Sequence, residues 1–297
     1  MNTQIKPPVI FGEVLFDNFP DGSRVLGGAP FNVAWHLQVF GLAPCFISRV
    51  GDDVAGREIA DLMTAWGMCR DWLQTDTHHP TGSVQVSIDD GEPAYDIVQN
   101  SAYDFVDAAV LAELNTQGIL YHGSLAIRNP VSFAALQAIK ASHQGKIFVD
   151  VNLRAPWWQP ESLLSLLHDA DWLKLNEDEL FQLCPDSADL QTAMPLLYDR
   201  FNLEILFVTC GENGAVAYAG KNQFTSVRPV TGNAVVDTVG AGDAFAAVLL
   251  LGLSQQWPLQ LMLERAQDFA SELVGRRGAT VNDPSFYQDF IEEWERD

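Results

Sequence analysis

The sequence predicts an α/β fold, a mostly parallel central sheet with helices on both faces plus a small β lid. Three observations carry that expectation. Short β-rich runs alternate with helical patterns along most of the 297 residues, the rhythm that builds a parallel sheet covered by helices. One segment, within about residues 80–105, breaks the rhythm with strict polar and apolar alternation around turn residues. Apolar residues make up 47% of the chain, enough for a sizeable core and too many for a disordered or fibrous protein.

In order, "PVIFGEVLFD" and "PCFISRVG" read as strands, and "PFNVAWHLQVFG" and "AGREIADLMTAWGM" as helices. Beyond residue 118 the pattern returns, with "GILYHGSLA", "KIFVDVN", "DWLKLN" and "EILFVTCG" as buried strands. Helices such as "PVSFAALQAIKASH" and "LQTAMPLLYDRF" separate them. Between these blocks Val84, Val86 and Ile88 alternate with polar residues, "DDGE" at 89–92 supplies turn chemistry, and a second extended run follows. A half-buried hairpin is not stable alone, so it must cover a ligand cleft or a partner subunit. No internal repeat, low-complexity tract or long linker divides residues 1–297, and one domain is expected.

With 39 acidic and 17 basic residues the net charge is -22, which disfavours nucleic acid and anionic membrane as partners. Solubility or a salty cytoplasm explains the same excess. The opening stretch "MNTQIKPPVIFGEVLFDNF" has no basic segment followed by an unbroken apolar run, and a cytoplasmic protein is expected. The longest apolar run, Ala244 to Leu253, is half of what a membrane span needs and reads as a buried helix. Cys45, Cys69, Cys184 and Cys210 are far apart and form no C-x-x-C pair, so they are expected to be reduced core thiols. His78 and His79 lack a carboxylate or third histidine at ligand spacing and read as plain loop residues.

The richest chemistry lies in "VVDTVGAGDAFAAVLLLGL", residues 235–253. Gly240 and Gly242 permit a tight turn, and the N-H groups of Ala241 and its neighbours at the start of the following helix form an anion hole. Asp243 inside that turn would repel a resident phosphate unless it faces a hydroxyl about to lose its proton. Helix dipole and N-H donors favour its ionised form. The competing reading is an N-capping aspartate beside glycines that serve only the turn. Phe245 replaces the third glycine of a dinucleotide fingerprint, and no P-loop is present. At the other end of the chain, Asp17, the Gly27-Gly28 pair and Asn32 combine carboxylate, exposed backbone and amide, the mix a neutral polyol demands. Turn formation and helix capping explain the same residues separately.

Taken together, the ordered set "GGAPFN", "RVGDDVAG", "DVNLRAPWW", "KLNEDEL", "VTCGENGAV", "DTVGAGDAF" and "GRRGAT" resembles the ribokinase-like (PfkB) carbohydrate kinases along the whole chain. The resemblance implies a three-layer sandwich in which Asp243 is the catalytic base beside the Gly240, Ala241 and Gly242 anion hole. It makes Asp17, Gly27, Gly28 and Asn32 sugar ligands and puts Arg154 near the acceptor or the transferred phosphoryl; a surface ion pair is the alternative for that arginine. It implies ATP with Mg2+, held through water by Glu179 and aided by Asn176. Thr209, Gly211, Gly214, Gly240, Gly242, Ala270 and Gly278 would line the nucleotide, although helix packing explains Ala270 equally well. Asp237 and the carbonyls near Val239 stand at a monovalent-cation position, with K+ the expected ion. The hairpin would close over the sugar and could pair subunits into a homodimer.

The wording "GEVLFD" through "GGAPFNVA" is similar to fructokinases, with 2-keto-3-deoxygluconate kinases and ribokinases as alternatives. Only Arg24 lies close in sequence to Asp17, so a neutral acceptor is favoured over a phosphorylated one. The expectation is phosphorylation of the primary hydroxyl of a ketohexose, fructose to fructose 6-phosphate. The rivals of other classes are a non-catalytic sugar or nucleotide sensor and an NAD-dependent oxidoreductase. Trp157 and Trp158 could floor the sugar site, or anchor packing.

Overall fold

Two separate sheets share the strands of this protein, whose computed structural model describes residues 5–89, 92–111, 114, 117–229 and 235–296. The elements in chain order are β1 (Val9–Phe11), β2 (Leu15–Asn18), β3 (Arg24–Gly27), α1 (Ala29–Val39), β4 (Cys45–Gly51), α2 (Val54–Ala65), β5 (Leu73–Asp76), β6 (Gly82–Asp89) and β7 (Glu92–Ile97). They continue with β8 (Leu120–His122), α3 (Pro130–Ser142), β9 (Ile147–Asp150), α4 (Pro160–His168), β10 (Trp172–Asn176), α5 (Glu177–Leu183), α6 (Leu190–Phe201) and β11 (Ile205–Thr209). The chain ends with β12 (Ala215–Tyr218), β13 (Phe224–Val227), α7 (Ala241–Gln255), α8 (Leu259–Leu273) and α9 (Ser285–Trp294).

The large sheet has nine strands in the order β13-β12-β11-β10-β9-β8-β1-β4-β5. Pairing is parallel from β5 to β11, and β12 and β13 extend it antiparallel. Alternation along each strand sorts side chains to two helical layers. Ile10 of β1 joins the core built by α1, α7, α8 and α9, whereas Val9 and Phe11 turn to the α3 side. Val149 and Leu173 pack against α4 and α6 on that second face. The expected three-layer α/β arrangement is therefore present, and so is its reason: parallel strands are stable only with both faces covered.

α1 and α7 are mostly apolar, and eight consecutive residues of α1, Pro30 to Leu37, are buried, the polar Asn32 and His36 among them. α7 buries Ala244 through Gly252 without a break. Helices of this kind can lie only inside the molecule, and these two pack on each other. No helix among the described residues is long and apolar enough to cross a membrane.

Three expectations are corrected. The run "PVIFGEVLFD" is two strands: β1 pairs in the large sheet, and the chain then crosses at residues 12–14 into β2 of the small one. Asp17 accordingly lies within β2, not beyond a first strand. The hairpin of β6 and β7 does not stand alone either, because β2 pairs parallel with β6 and antiparallel with β3 to give a four-stranded sheet, β3-β2-β6-β7. Asp90 and Gly91, the centre of the expected turn, lie outside the described residues. Among the cysteines, Cys69 is exposed and the other three are half-buried, so they are not core thiols. They carry no disulfide.

Gly12 is where the chain leaves β1, and a Cβ there would sit 2.2 Å from Cγ of Pro30 in the first turn of α1. Overpacking of this kind costs about 1–3 kcal/mol. Gly12→Ala is therefore expected to lower the urea midpoint with an unchanged m-value; an unaltered midpoint would mean that the proline ring yields freely.

Candidate active site

A cavity of about 610 Å³ lies at the carboxyl ends of β1, β9, β10 and β11 and is walled on its other side by the four-stranded sheet through Leu15, Val84 and Ile97. Carboxyl ends of parallel strands are where α/β folds place their ligands. Of the residues singled out from sequence, Asp17, Gly27, Gly28, Asn32, Arg154, Asn176, Glu179, Thr209, Gly240, Gly242 and Asp243 all line it. Motifs from both ends of the chain thus meet in one space.

Gly240, at φ 80°, is the N-cap of α7, and Asp243 is the third residue of the helix. The capping alternative for Asp243 is thereby removed. A Cβ on Gly240 would stand 2.4 Å from Ala279, so this position admits only glycine on conformational and steric grounds alike. The N-H of Ala241 donates to the Thr238 carbonyl at 3.3 Å, and Ala241 is not part of the cavity wall. Of the three residues expected to form the anion hole, Gly240 and Gly242 line the cavity. The Asp243 Oδ2 accepts from Asn32 Nδ2 at 2.8 Å, across 211 residues of sequence. Burial pushes the Asp243 carboxyl up to about 6, against the Asn32 hydrogen bond and the cations Lys174 and Arg154. Desolvation outweighs the helix dipole here, yet the group is ionised at neutral pH.

Sequence reasoning passed over Lys174, Asp150, Glu13 and His36, with Tyr121 as a partner of Asp150. Lys174, buried in β10, donates to both oxygens of Asp150 at 2.9 Å, and Tyr121 donates to Asp150 Oδ2 at 3.1 Å. Burial opposes the charge on Lys174, but Asp150, with Glu179 and Asp243 nearby, holds the ammonium above its ordinary range. Glu13, in the crossing between the sheets, is only 2% exposed and lines the cavity. Burial pushes its carboxyl up to about 7. His36, fully buried in α1, lies 3.1 Å from the Ala279 carbonyl and 3.0 Å from the Tyr287 hydroxyl. Burial pushes its imidazole down to about 4, so it is neutral and braces the segment that walls Gly240. A polar residue inside an apolar run was the available signal for all four.

Asn176 caps α5, and its box partner Glu179 accepts from the N-H groups of Asn176 and of Leu153, at 2.9 Å and 2.6 Å. Glu179 thus ties the "NEDE" turn to the "DVNLR" segment. Arg154 is exposed and leans on the Leu153 carbonyl through Nη1 at 3.1 Å, with no ion pair among the described residues. Burial raises Asp17 to about 6, which Arg154 opposes.

Other expectations are not brought to the cavity. Gly211, Gly214, Ala270, Gly278 and Asp237 are absent from its wall among the described residues. Gly214 turns the chain against the Val227 carbonyl, and Ala270 is buried in the helical core. Asp237 closes its own loop, accepting from the Val239 and Gly278 N-H groups at 3.0 Å. Trp157 packs under the Arg128 guanidinium, 4.8 Å from the ring centre, and neither it nor Trp158 reaches the cavity; they are packing anchors. His79 is more than a plain loop residue, stacking on Phe105 at 3.7 Å and lying 3.0 Å from Asp76.

Residues 10–285 match the profile of the pfkB family carbohydrate kinases. A fructokinase of Klebsiella pneumoniae is 35% identical over 261 residues, 82% of this chain and 83% of the relative. One of Escherichia coli is 34% identical over 294 residues, covering 91% and 94%. Among solved structures, a double-mutant fructokinase of Vibrio cholerae O395 with fructose, ADP and potassium ion bound superposes with a TM-score of 0.81 at 26% identity, over 97% of this chain and 99% of that one. A fructokinase of Xylella fastidiosa with bound ATP, at 23% identity, shares the fold with a TM-score of 0.84 over 98% and 100%. The chain belongs to the pfkB family of carbohydrate kinases. It is a phosphotransferase that acts on a sugar hydroxyl.

Lys174→Met would leave Asp150 buried beside its remaining Tyr121 contact without a counter-charge. Loss of one partner of a buried pair costs about 3–5 kcal/mol, whereas replacing both with apolar residues is close to neutral. Denaturant unfolding should show that loss for Lys174→Met and recovery of most of it in Lys174→Met/Asp150→Leu; equal stability of the single variant and the wild type would deny the pair its structural role.

Proposed function

We propose that this protein transfers the γ-phosphoryl group of ATP to the primary hydroxyl of a neutral ketohexose, fructose to fructose 6-phosphate, with Asp243 as base. The observation that carries it is Asp243 in the first turn of α7, lining the same cavity as Asn32 and Asp17 with one oxygen already held by Asn32. Its other oxygen is left to orient the acceptor hydroxyl and to take its proton. The start of α7 at Gly240 and Gly242 opposes the charge that spreads over the phosphoryl oxygens in flight. Arg154 adds an exposed cation on the same wall.

Glu13, Asp17 and Asp243 at this end of the cavity favour an uncharged acceptor. A sugar acid such as 2-keto-3-deoxygluconate would place its carboxylate among them with Arg154 as the facing cation. Ribose is not separated by charge, and a sugar panel decides it. Asn176 and Thr209 suit the phosphates, with Gly211, Gly214, Ala270 and Gly278 further along the nucleotide. Oxygen donors at Asn176 and Glu179 suit a hard cation. Both Glu179 oxygens already accept main-chain N-H groups, so these residues would hold magnesium through water, and the ion would neutralise phosphate charge. Potassium at Asp237 would rely on that carboxylate's remaining lone pairs and on adjacent carbonyls. The whole chain would work as one kinase domain with the four-stranded sheet as its lid, excluding water from the transfer. A homodimer through that sheet is part of the reading, since β3 and β7 are its edges.

A coupled ADP-release assay over neutral hexoses and pentoses, sugar acids, phosphosugars and nucleosides tests the assignment. Fructose should give the highest kcat/KM; turnover confined to charged sugars or nucleosides would overturn it, and sugar binding without ADP release would mark a sensor. Asp243→Asn should lower kcat by about 10²–10⁴-fold with nucleotide affinity retained.

The base must be ionised, so kcat/KM should be flat above and fall below about pH 6 as Asp243 protonates. Asp17, near 6, and Glu13, near 7, titrate in the same cavity, so the acid limb belongs to the cluster. A profile that stays level well below pH 6 would remove Asp243 as base.

A further inference from the structure

Glu13 has no evident structural task. It caps no helix, forms no ion pair among the described residues, and its Oε2 finds no hydrogen-bond partner although the side chain is 98% buried, being 2% exposed. A buried polar atom without a partner is expensive unless something outside the chain supplies one. Its backbone packs closely on Gly28, where φ is 108° and an added Cβ would stand 2.6 Å from the Glu13 carbonyl. That contact anchors the residue on the N-terminus of α1 and leaves the side chain on the cavity wall with Asp17 and Asp243. Arg128 makes no ion pair with it, because Nε and Nη2 of that guanidinium are committed to Asp104 and the Val98 carbonyl; its charge, like that of Arg154, opposes the rise of the Glu13 carboxyl only from a distance.

A second buried atom on the same wall is also without a partner, the Oδ1 of Asn32, whose Nδ2 is held by Asp243. Amide oxygen accepts only, and a carboxyl does the same when ionised, the form Glu13 takes above the value of about 7 to which burial raises it. Two unpartnered acceptors on one wall call for a ligand that brings hydrogen-bond donors and no negative charge, the chemistry of vicinal hydroxyls.

Resting on the sugar-kinase reading above, we propose that Glu13 is a specificity-determining residue whose Oε2 takes the hydrogen of a sugar hydroxyl other than the one phosphorylated. It selects a neutral polyol with a hydroxyl at that place and rejects analogues that lack it, because an empty place would leave the carboxyl unpartnered in the complex as well.

The test is a cycle of enzyme and substrate changes on the full chain. Glu13→Leu and Glu13→Gln are assayed with fructose and with its single-deoxy analogues. Glu13→Leu should raise KM for fructose about 10- to 100-fold, the loss typical of a hydrogen bond to a charged group, with KM for ATP far less affected. One deoxy analogue should be poor for the wild type yet no worse than fructose for Glu13→Leu. Additive losses for every analogue, or a folded variant with unaltered KM for fructose, would overturn the assignment. If Glu13→Leu does not fold, Glu13→Gln carries the same cycle, because its amide oxygen keeps an acceptor and its loss should be smaller but coupled to the same hydroxyl. A wild type that ignores fructose would defeat the ketohexose reading alone; the cycle then runs on whichever neutral sugar is phosphorylated.

Discussion

The hydrogen bond from Asn32 to Asp243, 2.8 Å long, joins residues 211 positions apart and depends on the two most thoroughly buried helices of the fold. α1 and α7 expose almost no polar face to water, and the polar residues of α1, Asn32 and His36, are themselves buried against partners, so a surface position would not satisfy these helices. Packed together in one layer, they bring their first turns to the same cavity at the carboxyl ends of the strands. The burial that stabilises these helices also takes Asp243 out of water and raises its carboxyl to about 6. Stability and the raised carboxyl share one cause here: the proposed base would owe its strength to a helix that is buried on nearly every side.

The electrostatics of the cavity share the acidic bias of the whole chain. The chain carries -22 overall, and the cavity wall repeats that bias with Glu13, Asp17, Asp150, Glu179 and Asp243 against Lys174 and Arg154. Lys174 is largely committed to Asp150 by two 2.9 Å hydrogen bonds, which leaves Arg154 as the cation able to respond to a ligand. A nucleotide triphosphate entering such a space must bring cations of its own, whereas an uncharged sugar enters without that penalty. On the proposed reading this asymmetry would order the two substrates in the cavity: hydroxyls at the acid-rich crossing between the sheets, phosphates at the start of α7 and beside Asn176.

What the sequence disclosed and what it hid divide along the range of the interactions. The strand and helix rhythm, Asn32, Gly28, Gly240 and Asp243 are local patterns, each readable within a dozen residues. Lys174 in "DWLKLN" and Glu13 in "FGEVLF" look like interruptions of apolar runs until the neighbour that explains them is known. For Lys174 that neighbour is Asp150, 24 residues away. The lid was half legible for the same reason. The β6 and β7 hairpin is local, but β2 pairs with β6 in a register that sets Leu15 against Gly82, and nothing near either strand announces it. Asp243 reversed direction because the helix dipole is a first-turn effect readable from sequence, while desolvation depends on the packing of the whole core.

The mixed parentage of the small sheet matters for the chemistry. Asp17 rides on β2, inside the sheet that covers the cavity, while Asn32 and Asp243 belong to helices of the large layer. A sugar held by all three is gripped between two bodies, so its binding energy acts directly on the closure of the cover. Residues 12–14 link β1 to β2 directly, and their path is confined by Pro30 on one side and Gly28 on the other. Glu13 sits at the middle of that link. On the proposed reading the acceptor would be read where the two sheets are joined, at the one residue of this link whose side chain is unpartnered on the cavity wall.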